Sequence, residues 1–169
     1  MESRAKLLGH PIHPMLIVFP LGVLGMAVIF DIIGLATNNP AWFDRSYWMI
    51  AAGIIAGLIS AVFGLVDFLA IPRDTRAKRI GLWHGGANVV VVLLFIASWL
   101  LRPAGTIQPA AIAFVFSFAG LVLALISGWL GGELVDRLSV GVDNATNLNT
   151  PSSLQSDSAK PARPTRKTA

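Results

Sequence analysis

The sequence predicts an all-α integral membrane protein: a four-helix bundle followed by a disordered C-terminal tail. Three observations predict it, namely four long apolar runs, a one-sided distribution of Lys and Arg, and tryptophans gathered near the ends of the runs. Hydrophobic residues make up 54% of the chain and charged residues only 13%, with a mean hydropathy of +0.68. A soluble domain of this size has too little interior to hide so much apolar surface.

The expected spans run over 15–36, 47–71, 83–101 and 109–134. Each reaches or approaches the roughly 20 helical residues that cross a hydrocarbon core of about 30 Å. Lipid offers no partners to unpaired backbone groups, so an unbroken apolar run is read as a helix, and no strand-like alternation suggests a barrel. The first run follows Arg4 and Lys6 as a secretory signal would. Its length and its Asp31 mark it instead as a retained span.

Eleven of the thirteen basic residues lie before the first run, between the second and third, or after the fourth; only Arg45 and Arg102 fall on the other side. Positive flanks stay cytoplasmic, so both termini and the 72–82 loop are expected inside a cell inner membrane. This also explains the pI near 10.1 without nucleic acid as a partner. Trp42, Trp48, Trp83, Trp99 and Trp129 sit near run ends, where an indole has both apolar and polar surroundings. Small residues recur at helical spacing in the second run (Gly53, Gly57, Ser60, Gly64) and in the fourth (Ala124, Gly128, Gly132). Such tracks let helices approach closely in lipid. The expected transmembrane domain covers 1–142, and 143–169, rich in Asn, Ser, Thr and Pro, is expected to be a disordered basic cytoplasmic tail. No internal repeat stands out.

The remaining polar residues need reasons, because ionisable groups in spans are costly. His10 and His13 stand in "GHPIHP" before the first run, Asp67 lies before Pro72, His84 opens the third run with Asn88 one turn on, and Glu133 closes the fourth. All belong to the expected cytoplasmic side. A structural reading has Pro14 in the first helical turn, His13 capping, Asp67 paired with Arg73 or Arg76, and Glu133 beside the basic loop. A ligand reading has His10, His13 and His84 holding haem, with glycines 81, 85 and 86 leaving room for the macrocycle, or has the same histidines with Asp67 and Glu133 holding a divalent metal. A proton relay is a third use of these groups. Asp31 stands towards the outer end of its run, to be met by Arg45, Arg102 or water. With no cysteine, thiolate chemistry and disulfides are excluded, and no catalytic nucleophile constellation is present.

The strings "LLGHPIHPMLIVFPLG", "GLVDFLAIPRDTRAKRIGLWHGGAN" and "SGWLGGELV" together resemble a prokaryotic family of membrane proteins known as domain of unknown function 2231, over residues 7–142. The resemblance implies a four-helix inner-membrane domain without an assigned activity, with His10, His13, Asp67, His84 and Glu133 on its motif positions. Some relatives are joined to Rieske-type iron–sulfur modules, which implies a redox context and a redox or other membrane partner. Family members often carry a histidine after the last span in a string like "YRHGVGV"; this chain reads "DRLSVGV" there, with Leu138 and Ser139. The sequence thus supports a membrane component binding metal or haem, or alternatively a noncatalytic structural or partner-binding subunit. Its oligomeric state and any substrate are left open.

Overall fold

A computed structural model describes residues 1–143 and 146–154. Four helices, α1 (Ile12–Thr37), α2 (Ala41–Ala70), α3 (Arg76–Leu100) and α4 (Ala111–Gly132), form the bundle, and one π-helical turn, Glu133–Arg137, extends α4. All four are long and apolar enough to cross a membrane. The protein is therefore a four-span membrane bundle. Of the tail expected from 143, residues 146–154 hold only turns and irregular backbone; 144–145 and 155–169 lie outside the described residues.

The helices reach past the apolar runs where polar residues still favour helix. Ahead of the second run, Asp44 lies in the first turn of α2, where a carboxylate suits the positive helix end. Arg45 donates from its guanidinium to the Ala41 carbonyl. Ahead of the third run, Thr75 accepts from the Lys78 amide at 3.1 Å and starts α3 eight residues before Trp83. Hydropathy marks where lipid begins, whereas caps mark where helix begins.

The "GHPIHP" stretch departs from a plain helix entry. Lys6–Leu7 and His10–Pro11 pair as a two-residue antiparallel ribbon, β1 and β2. Its turn residues have positive φ, Leu8 at 50° and Gly9 at 86°, the backbone that a two-residue hairpin turn requires. Pro14 does lie in the first turn of α1, but His13 caps nothing: the position before the helix is Pro11, and no side chain bonds the first turn.

Packing is closest within the pairs α1–α2 and α3–α4, and less extensive between α2 and α3 and between α1 and α4. The bundle is thus two hairpins laid side by side, with α1 and α3 on opposite corners. Its buried centre is apolar, made of Leu24, Ala27, Val28, Ile50, Ile54, Val91 and Phe95. Large apolar side chains such as Phe19, Ile29, Leu58, Val62, Leu93, Val115 and Leu125 point outward, as lipid-facing residues must. Trp48, Trp83 and Trp129 are exposed. Trp99 is not an outward indole: it stacks on Tyr47 at 5.3 Å, and its buried N–H has no hydrogen-bond partner among the described residues.

Candidate functional site

Polar side chains gather in two layers, one at each end of the apolar centre. The first contains His13 in the opening turn of α1 and His84 in α3. His13 Nδ1 lies 2.9 Å from the Ser60 carbonyl and 3.2 Å from its hydroxyl. His84 Nδ1 lies 2.9 Å from the Ser127 carbonyl and 3.2 Å from that hydroxyl. A carbonyl can only accept, so the hydrogen-bond network assigns the Nδ1 proton to both rings, and in the neutral form each keeps its lone pair on Nε2. The two rings meet edge to face, centroids 6.4 Å apart. Asn88 Nδ2 donates to His84 Nε2 at 3.2 Å. For His13 Nε2 no partner is found among the described residues.

The other sequence-derived candidates stand elsewhere at this end. His10 is exposed, its Nδ1 beside the Leu8 carbonyl at 3.3 Å. Asp67 pairs with no loop cation. Its carboxylate accepts from the Ser3 hydroxyl at 2.8 Å and from the Arg4 and Ala5 amides at 2.8 and 3.3 Å, so the N-terminal segment folds back over the end of α2. Glu133 is ion-paired with Arg76, beside the basic loop. Among the described residues no group of three or more His, Cys, Asp or Glu side chains is arranged to hold a metal ion. The layer therefore brings together His13 and His84, but not the full set of five. Of the three glycines near this end, Gly81 is closed off, since an added Cβ would meet the Phe68 ring at 3.0 Å, whereas around Gly85 and Gly86 nothing among the described residues lies within 4 Å of that position.

The second layer was only half legible. Asp31 and Arg102 form an ion pair at 2.7 Å with both side chains fully buried. The contact is bidentate, Nη1 to Oδ1 and Nη2 to Oδ2, each at 2.7 Å. Around it, Ser46, Ser98 and Ser117 accept from the guanidinium at 3.1 to 3.2 Å. All four helices contribute or adjoin this network. Of the three partners open to Asp31, the structure selects Arg102. Every guanidinium nitrogen and both carboxylate oxygens have a partner, which is what burial of charge in an apolar interior demands.

Residues 9–144 match the family of predicted membrane proteins designated DUF2231. The chain belongs to that family. No curated protein and no solved structure matches it. In this DUF2231 member the two layers expose a relation between its halves that the linear sequence conceals. "LISAVFG" at 58–64 of α2 returns as "LISGWLG" at 125–131 of α4. Within each string the serine bonds a histidine and the glycine makes room for its ring: an added Cβ would meet His13 Cε1 at 2.9 Å from Gly64, and His84 Cε1 at 3.2 Å from Gly131. Eleven residues after each histidine comes the next joint. Leu24 fills the space above Gly53, and Phe95 fills that above Gly120, where an added Cβ would meet them at 2.5 and 2.9 Å. Eighteen residues after each histidine stand Asp31 and Arg102. The hairpin α3–α4 therefore repeats the spacing and contacts of the hairpin α1–α2. The match is partial: Leu24 stands where the second hairpin has Phe95, and Asp31 where it has Arg102.

Proposed function

We propose that this DUF2231 protein is a ligand-binding component of the cell inner membrane whose site is the His13–His84 pair, accepting haem iron or a divalent transition metal and serving a redox partner. The carrying observation is the pair of Nδ1–H···O=C bonds, which leave Nε2 of each ring as the lone-pair nitrogen. A backbone carbonyl on the far nitrogen is the usual support for a metal-bound imidazole, and imidazole suits iron, copper, zinc and nickel. Of the two rings, His13 has the open Nε2, and His84 becomes a ligand once Asn88 releases it. Other coordination positions are left to water or to a partner. By the positive-flank rule, the histidine layer, both termini and the 72–82 loop belong to the cytoplasmic face.

The test is an absorption spectrum with elemental analysis of protein purified after expression with ample haem and metals. Stoichiometric haem or metal, lost in His84→Ala and increased in Asn88→Ala, supports the reading. A cofactor-free wild type overturns it. The noncatalytic structural reading draws on a different observation: Ser127 and Asn88 engage both nitrogens of His84, as in a helix fastener. Under that reading His84→Ala alters stability alone.

A further inference from the structure

The two hairpins present similar faces to one another. Each carries a histidine bonded to its own hairpin's serine, a large apolar side chain seated on a glycine, and one ionic residue eighteen positions beyond the histidine. The first two features differ between the hairpins in detail and not in kind: Leu24 stands where the second hairpin has Phe95, and Asn88 bonds His84 where Ile17 follows His13. The histidines meet as identical residues, and Leu24 and Phe95 belong to the same apolar centre. Only the third feature differs in kind. One hairpin supplies a carboxylate and the other a guanidinium, and their bidentate contact crosses between the hairpins with no exposure.

We infer that the Asp31–Arg102 pair is a partner selector: it makes the face of an α1–α2 hairpin fit an α3–α4 hairpin and reject a second copy of itself. Two α1–α2 hairpins joined the same way would bring two Asp31 carboxylates together in an apolar interior, and two α3–α4 hairpins would bring two Arg102 guanidinium groups together. Buried like charges oppose such pairing strongly, since neither group is compensated. The device has a moment of use. The first hairpin is synthesised before the second, so in that interval the matching faces within reach belong to other copies' first hairpins. A buried polar pair that sets partner choice rather than stability has precedent in helical assemblies generally. The inference is independent of any ligand at the histidines.

The experiment compares full-length wild type with two double variants, each produced at low and high expression and analysed by native mass spectrometry and thermal unfolding in mild detergent. The apolar variant carries Asp31→Leu with Arg102→Met, and the inverted variant carries Asp31→Arg with Arg102→Asp. The expected result is an apolar variant that unfolds within a few degrees of wild type, yet whose share of dimers and larger assemblies rises several-fold with expression. The inverted variant should keep the wild-type size distribution at both levels. An apolar variant with the wild-type distribution throughout overturns the inference, because no selection was lost. One that loses thermal stability without gaining assemblies also overturns it, assigning the pair to stability alone. An inverted variant that misassembles as the apolar one does would refute the equivalence of positions 31 and 102.

Discussion

The two ends of the bundle hold the same kind of position in opposite ways. At the histidine end, each ring is bonded inside its own hairpin, His13 to Ser60 and His84 to Ser127, and the hairpins meet only through an edge-to-face ring contact. At the other end the bonds cross between hairpins, where Arg102 of one half grips Asp31 of the other among three serines. Eighteen residues separate the layers in each half, all of them in α1 and all but the last two in α3, a rise of about 27 Å if helical throughout, so each layer lies near one edge of a hydrocarbon core of about 30 Å. At the histidine end the imidazole bonds stay within each half. At the other the charged contact crosses, and by the inference above it decides which half meets which.

Breaking the ion pair should have the largest effect. Arg102→Met leaves the Asp31 carboxylate buried without its partner, and a loss of about 3–5 kcal/mol is expected, read as a marked fall in the unfolding midpoint in detergent. An intact midpoint would show that water reaches this layer. The histidines should matter less. His13→Ala and His84→Ala each remove contacts within one hairpin, and interhelical hydrogen bonds in membranes average about 0.6 kcal/mol, with a maximum near 1.7. Because the two sets of bonds share no partner, the double variant should lose nearly the sum. A large non-additive term would mean that the 6.4 Å ring contact couples the hairpins.

The glycines sharpen the comparison within the histidine end. Gly64→Ala sets a Cβ 2.9 Å from His13 Cε1, and Gly131→Ala sets one 3.2 Å from His84 Cε1. Both should displace a ring, Gly64→Ala the more, and imidazole chemical shifts in the two variants should follow that order. The smallest effect is expected from Ser153→Ala. It removes two exposed contacts, to the Leu8 carbonyl at 2.9 Å and to His10 Nδ1 at 3.4 Å, and unfolding should move by less than about 1 kcal/mol.

Much of the fold could be read from the sequence because lipid imposes a blunt requirement: four apolar runs gave four helices. The histidine layer was legible in depth, since His13 and His84 both stand where an apolar run begins, His13 in the first turn of α1 and His84 about two turns into α3. Its contacts were not. Ser60 reads as one small residue in a packing track, whereas its backbone carbonyl is what receives the imidazole, and no side-chain pattern announces a carbonyl. Asp67 looked suited to a nearby arginine, but two amides and a hydroxyl of residues 3–5 take its charge. That folding back is a long-range event with no periodic signature. For Asp31 the correct partner stood among three open choices, and only the helix arrangement separates a buried guanidinium from one turned towards solvent.

The repeat is imperfect at one further place, Pro20, which lies seven residues after His13; the matching residue seven after His84 is Val91. Val91 donates its amide to the helix, whereas Pro20 has none to give and leaves the carbonyl one turn earlier without its donor. The hydrogen-bond ladder of α1 is therefore one rung short between the histidine and the ion pair, although the helix runs on from Ile12 to Thr37. Bending α1 at that place would sacrifice one backbone bond fewer than bending α3 at Val91.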